Sequence, residues 1–253
     1  LTPSLETRGL TVRFGGHVAV DAVTCAFRPG ELTAIVGPNG AGKTTYFNLI
    51  SGQIAATAGT VHLNGRDITR ASVPARTAAG LGRAFQLTNL FPGLSVLENV
   101  RLVVQARRGR GFSLLSVAAR QRDLTEAAER LVDRVRLGAQ AHLPVAALPH
   151  GDQRKLEVAL MLALEPRVYM FDEPTAGMSV DEAPVILDLI AAIKADPAAT
   201  VLLVEHKMDV IRSLADRIVV LHNGALVADG PPGAVMASDV VREAYLGREL
   251  TDV

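Results

Sequence analysis

Residues 37–44 read Gly37-Pro38-Asn39-Gly40-Ala41-Gly42-Lys43-Thr44, and few backbones can accommodate that spacing of glycines, lysine and hydroxyl. Successive N–H groups converge on one anion only where the chain curls through conformations that side chains resist. Leu32, Ala34, Ile35 and Val36 supply an apolar strand running into the loop, and from Thr44 and Thr45 the chain reads as the start of a helix. The N-terminus of that helix adds partial positive charge at the place where phosphate would sit. In such a loop Lys43 reaches terminal phosphates and the Thr44 hydroxyl binds Mg²⁺. A strand, a phosphate loop and a helix in this order call for an α/β architecture.

The rest of the chain supports one large domain. Its 253 residues are nearly half apolar, enough for a sizeable core. Lys plus Arg and Asp plus Glu balance at 26 each, which removes any bulk electrostatic reason to expect nucleic-acid binding. Arg107, Arg108 and Arg110 form the densest basic cluster and read as a solvated loop. The single cysteine, Cys25, forbids an intrachain disulfide and reads as a small buried apolar side chain. No stretch approaches the roughly 20 apolar residues needed to span a bilayer, and no secretion signal is expected at the start.

Short β-rich runs at 10–14, 18–23 and 61–63 are punctuated by Gly15-Gly16, Pro29-Gly30 and Asn64-Gly65. From about 88 to 165 the character changes, and Leu124, Ala127, Ala128, Leu131, Val132 and Val135 recur at helical spacing. Strands return at 168–171 and 201–204, with a helix expected over 181–194 between them. That order predicts a parallel crossover. Residues 218–221, Asn223-Gly224 and 226–228 read as a hairpin, and 240–245 as a closing helix. The expectation is a single nucleotide-binding domain, 1–253, with a helical subdomain of about 88–165 inserted in it.

Two further strand ends carry chemistry. The run 168–171 ends in Asp172-Glu173, placing two carboxylates where ligands sit in open α/β sheets. Asp172 is placed to hold the Mg²⁺ hydration shell and Glu173 to polarise an attacking water. His206 follows Glu205 at the end of 201–204, a third strand end beside the same site. Gln86 by spacing alone is unremarkable.

Together these residues resemble the ATPase subunit of an ATP-binding cassette (ABC) transporter, over essentially the whole chain and in the expected order. The resemblance implies a mixed central sheet, an antiparallel β subdomain and the inserted helical subdomain. It implies that Phe14 stacks on adenine, that Gly37 to Thr44 hold ATP phosphates, and that Gln86 ligates Mg²⁺ beside Thr44 and Asp172. Glu173 is then the catalytic base, and His206 hydrogen-bonds the terminal phosphate.

In this family a signature segment caps the ATP of the opposite subunit, so two ATPase subunits sandwich two nucleotides. Leu148-Pro149-His150-Gly151-Asp152 stands in its place. Pro149 lacks the hydroxyl that serine supplies there, while Gly151 keeps an N–H available and His150 replaces a glycine. Ser179 stands where many members have an aspartate.

Phe14-Gly15-Gly16, Phe85-Gln86-Leu87, the run 90–100, the run 203–210 and Ala244-Tyr245-Leu246-Gly247 resemble importers of branched-chain amino acids. The urea-importer branch is close, and a lipopolysaccharide-type exporter or a soluble ABC ATPase of DNA repair or translation stays open. Implied partners are transmembrane permease subunits, a second ATPase subunit and, indirectly, a solute-binding protein, but no nucleic acid. The implied location is peripheral, on the cytoplasmic face of the membrane. Replacing Pro149 by serine is expected to raise ATPase turnover in the assembled transporter. Unchanged or lower turnover in a steady-state phosphate-release assay would count against reading the ATP site capped by the signature segment as the weaker one.

Overall fold

In the computed structural model, which describes residues 2–84, 90–109, 119–179 and 181–238, the chain opens on two long antiparallel strands. These are β1 (Leu5–Phe14) and β2 (His17–Phe27), followed by β3 (Leu32–Val36) and, after the phosphate loop, α1 (Lys43–Ser51). Then come β4 (Ala58–Leu63), β5 (Arg66–Asp67), α2 (Val73–Ala78) and β6 (Leu81–Ala84). A helical stretch holds α3 (Val96–Arg107), α4 (Ala119–Arg134) and α5 (His150–Leu164). The order closes with β7 (Val168–Asp172), α6 (Ala183–Lys194), β8 (Thr200–Val204), α7 (Met208–Leu214), β9 (Arg217–His222), β10 (Ala225–Gly230) and α8 (Pro232–Met236).

The strands form two sheets. One is antiparallel, in the order β2-β1-β4-β5; the other is mixed, in the order β10-β9-β3-β8-β7-β6. Within the mixed sheet β3 pairs parallel with both β8 and β9, and β7 pairs parallel with β8. Every residue of β3, β7 and β8 is buried. Strands covered on both faces read as continuous apolar runs rather than as alternation, which is the pattern of these three. Asn64-Gly65 and Asn223-Gly224 all lie at positive φ, from 50° to 80°, and each pair closes a two-residue hairpin. Primed turns require that conformation twice in succession, and Asn-Gly supplies it at least cost.

The chain divides into two compact units. Of the described residues, the first holds 2–83, 167–173 and 191–238, with both sheets. Its core joins α1, through Tyr46, Phe47, Leu49 and Ile50, to residues of β1, β2, β7, β8 and β9. Each large side chain so buried contributes about 1.5–3 kcal/mol. Tyr46 is fully buried, and its hydroxyl meets Thr7 Oγ1 at 2.8 Å, tying α1 to β1. The second unit holds the described residues within 84–166 and 174–190, so it takes in the segment after β7 as well as the helical stretch. There α3 packs on α4 and α5. Ser95 caps α3 by accepting the Glu98 N–H at 3.2 Å, and buried Asn99 is bonded to the backbone of Phe91, Leu94 and Ser95.

The anticipated strands and hairpins are present, most of them one to five residues longer than their apolar runs. The helix expected from 181 begins at Ala183. Arg107 lies within α3 and pairs with Glu165, and Arg108 pairs with Asp123, so two of the three clustered arginines are ion-paired rather than merely solvated. Arg110 and the expected helix over 240–245 lie outside the described residues. No helix among the described residues is long and apolar enough to cross a membrane.

One buried charge stabilises the first unit without an acidic partner at salt-bridge distance among the described residues. Arg76 of α2 donates to Leu49 O at 2.8 Å and to Ile50 O, carbonyls at the C-terminal end of α1, and to Thr69 O and Ala71 O. Helix ends leave carbonyls without intrahelical donors, and a cation there also meets the negative end of the helix dipole. Arg76→Met is expected to leave those acceptors unpaired and to cost about 2–4 kcal/mol. The drop in the urea midpoint of the purified chain measures it.

Candidate nucleotide site

The phosphate loop leaves β3 at Gly37 and enters α1 at Lys43. Ala41 N donates to Pro38 O at 3.1 Å, and Gly224 N reaches across from the β9–β10 turn to Ala41 O at 3.1 Å. The loop is thus braced from within and from a neighbouring hairpin. Gly42 is the residue before the first helical turn, at φ 95°, and a Cβ there would stand 2.4 Å from Ala19 O. Gly37 is equally confined, since its Cβ would meet Leu221 O at 2.1 Å. Gly42, the N-cap of α1, has no side chain to bond the N–H groups of its first turn. Pro38 is part-buried, Asn39 and Gly40 are exposed, and Thr44 and Thr45 are part-buried on the first turn.

Lys43 is buried, and its ammonium donates to Gly37 O at 2.7 Å and Pro38 O at 3.0 Å. Burial pulls its pKa below the usual lysine value, while the nearby carboxylates of Glu173 and Asp172 pull the other way. Both acids lie at the end of β7. Asp172 is buried and Glu173 is part-exposed. Glu173 takes φ 51°, a left-handed conformation that a non-glycine residue rarely adopts, while its N–H bonds Val204 O at 2.9 Å. Its Oε1 lies 2.7 Å from His206 Nε2. The residues expected to supply base and histidine are therefore in direct contact. Phe14 ends β1 half exposed, its ring available to solvent. Gln86 lies outside the described residues.

One residue of this site was not anticipated. Arg83 of β6 bonds Asp172 Oδ2 at 2.8 Å, with both side chains less than a tenth exposed. It also donates to Asn48 Oδ1 at 2.7 Å and Ser51 Oγ at 2.8 Å, and lies over the Phe47 ring. Burial raises the Asp172 pKa and lowers that of Arg83, and the attraction between them opposes both shifts. The available signal was a charge inside a short strand whose other residues, Leu81, Gly82 and Ala84, are all buried.

The donor set suits Mg²⁺. That ion is held in such sites by one or two protein oxygens plus phosphate and water, not by a cage of protein ligands. Thr44 and Asp172 are of that kind. Among the described residues no cluster of three or more His, Cys, Asp or Glu stands ready to hold a metal. Arg83 takes one oxygen of Asp172, and no hydrogen bond among the described residues ends on Oδ1.

In the second unit Pro149 and His150 are exposed at the start of α5 and Gly151 is buried. Pro149 is the N-cap and its carbonyl accepts Gln153 N at 3.0 Å. The carboxylate of Glu182 lies where a Gly151 side chain would project, 2.2 Å from the position of a Cβ. It also accepts from Ser179 N and Oγ, at 3.2 and 3.1 Å.

Parallel strands with a braced phosphate loop and carboxylates at the end of a nearby strand define the phosphate-loop nucleotide-binding class. Residues 20–176 match the ABC transporter family, and the chain belongs to it as an ABC ATPase. The chain is 37% identical over 253 residues to the high-affinity branched-chain amino acid transport ATP-binding protein BraF of Pseudomonas aeruginosa, a match covering 97% of this chain and 98% of that one. It is 36% identical over 252 residues to the corresponding protein LivG of Escherichia coli, again covering 97% and 98%. Among solved structures, the ADP conformation of MJ1267, an ATP-binding cassette of an ABC transporter, is similar with a TM-score of 0.81 and 26% identity, over 98% of this chain and all of that one.

Gly42→Ala is expected to force the loop away from Ala19 O and to abolish binding of a fluorescent ATP analogue. Fluorescence titration of the purified variant, with circular dichroism as the control for folding, checks this.

Proposed function

We propose that the chain is the ATP-hydrolysing subunit of an importer that takes up branched-chain or related amino acids through separate transmembrane subunits. The observation that carries the hydrolytic part is the 2.7 Å contact between Glu173 and His206 at adjacent strand ends, in the same unit as Lys43 and Asp172. The solute class rests on the likeness to BraF and LivG, whose names describe branched-chain amino acid transport.

In this reading Phe14 stacks on adenine, and Gly37, Pro38, Asn39, Gly40, Ala41, Gly42, Lys43, Thr44 and Thr45 surround the phosphates. Thr44 and Asp172 would hold Mg²⁺ with Gln86, and the ion would supply charge neutralisation for the phosphates. Glu173 orients a water and accepts its proton as the water oxygen attacks the γ-phosphorus in line. The bond to the β–γ bridging oxygen breaks, giving ADP and phosphate. His206 holds Glu173 in place and meets the γ-phosphate. The helical stretch acts as a subdomain within one nucleotide-binding domain, and Pro149, His150 and Gly151 cap the nucleotide of a second ATPase subunit, identical or different. The whole sits peripherally on the cytoplasmic face of the membrane, fed indirectly by a solute-binding protein.

Glu173→Gln is expected to keep ATP binding and to lower turnover by about 10²-fold or more, the scale of general-base loss. Phosphate release and nucleotide binding measured side by side check it, and hydrolysis at the normal rate removes Glu173 as the base. For the solute, co-purification with membrane subunits and stimulation of ATPase by leucine, but not by urea, supports the amino-acid reading. Stimulation by urea alone overturns it.

A further inference from the structure

We propose that Arg83 is a positioning residue for the metal-holding carboxylate, coupling Asp172 to the helix that carries the phosphate loop. The proposal rests on the nucleotide-site reading above and deepens it. Arg83 is the only residue among those described whose side chain bonds both Asp172 and α1. Its planar fork divides the work. One terminal nitrogen donates to Asp172 Oδ2 at 2.8 Å, and the other donates to Asn48 Oδ1 at 2.7 Å and Ser51 Oγ at 2.8 Å. The Phe47 ring lies 5.4 Å beneath the guanidinium and fixes its plane. Asn48 and Ser51 belong to the same helix that begins at Lys43 and Thr44. The guanidinium therefore sets the distance between the two groups that hold Mg²⁺, the Thr44 hydroxyl and the Asp172 carboxylate. It does so by anchoring the far half of α1 to the end of β7.

Two consequences follow from the chemistry of the pair. By taking Oδ2, Arg83 fixes the carboxylate rotamer and leaves Oδ1 to face a hydrated cation. The pair is buried, so a point charge cannot replace it: lysine has one donor centre and cannot bond carboxylate and helix in this fork geometry. Partners that orient a metal-holding group typically change metal affinity by about 10–100-fold when they are removed.

The test uses the purified full chain and a fluorescent ATP analogue, titrated with Mg²⁺ and separately in excess chelator. Arg83→Lys is expected to raise the Mg²⁺ concentration for half-maximal nucleotide binding by about 10-fold. Binding in chelator, which uses the phosphate loop alone, is expected to stay within about twofold. Combining Arg83→Lys with Asp172→Asn is expected to add nothing to the Mg²⁺ defect of Asp172→Asn alone, because one residue acts through the other. An unchanged Mg²⁺ requirement overturns the proposal. So does an equal loss with and without Mg²⁺, which marks a merely structural arginine. Should Arg83→Lys fail to fold, Asn48→Ala and Ser51→Ala, which cut only the anchor to α1, are read in the same two titrations with the same two outcomes. Absence of nucleotide binding by the unmutated chain would instead count against the nucleotide-site reading itself.

Discussion

The register of three parallel strands is the constraint on which the site depends. Val204 of β8 stands opposite Ile35 of β3 on one side and Asp172 of β7 on the other. Parallel hydrogen bonds hold these residues at one level of the sheet, so the strands leave it together. One residue beyond that level come Val36, Glu173 and Glu205, and the next step brings Gly37 and His206. A phosphate loop, a pair of acids and a histidine, separated by more than 160 residues of sequence, thereby emerge from one edge. The burial of every residue in these strands makes the register expensive to shift, since a slip would unpair buried backbone groups.

At that edge the fold accepts local cost. Glu173 at φ 51° is strained by about 1–3 kcal/mol, the usual range for a non-glycine residue in the left-handed region. The conformation persists because its N–H is fixed to Val204 O and its carboxylate to His206 Nε2. Lys43, Arg83 and Asp172 are likewise charges in poorly hydrated surroundings. Such groups are tolerated when each meets a partner of good geometry, and removing one partner of a buried pair typically costs about 3–5 kcal/mol. Lysine bonds to loop carbonyls, and the arginine fork bonds to carboxylate, amide and hydroxyl together. Strain and buried charge in one place mark a surface arranged for a ligand rather than for stability.

Much of this was legible in the residues. The phosphate loop, Asp172-Glu173 and both Asn-Gly hairpins were readable because each needs a residue type that little else can replace. The strands 32–36, 168–171 and 201–204 were readable because burial on both faces forces an apolar run. Elements α2, α7 and α8 span five to seven residues each, too few turns for a 3.6-residue period to be seen. Strand β6, Leu-Gly-Arg-Ala in sequence from 81 to 84, carries a glycine and a charge, both of which argue against a buried strand until the partner of the charge is known. Arg83 was missed for that reason: its role lies in an ion pair 89 residues distant, and no local pattern encodes it. The second unit's share of the segment after β7 was equally illegible, since it depends on contacts and not on composition.

The start of α5 shows what motif matching alone conceals. A helix N-terminus offers an anion its unsatisfied N–H groups and partial positive charge. Here Pro149 as N-cap brings neither a hydroxyl nor an N–H. The carboxylate of Glu182 already stands against Gly151, held by the backbone and hydroxyl of Ser179. Ser179, which looks like a loss when compared with aspartate, donates through both its N–H and its hydroxyl to the Glu182 carboxylate. Its partner also places a negative charge beside the first turn of α5. The hydrogen bonds to Ser179 hold the Glu182 pKa below the ordinary value, with Lys155 and His150 nearby adding to the effect, so the carboxylate stays ionised at neutral pH. Part of the positive field of that helix end is therefore spent within this chain. The departures at Pro149 and Ser179 therefore meet in one local arrangement, in which a carboxylate held by Ser179 stands beside a helix start that lacks a capping side chain.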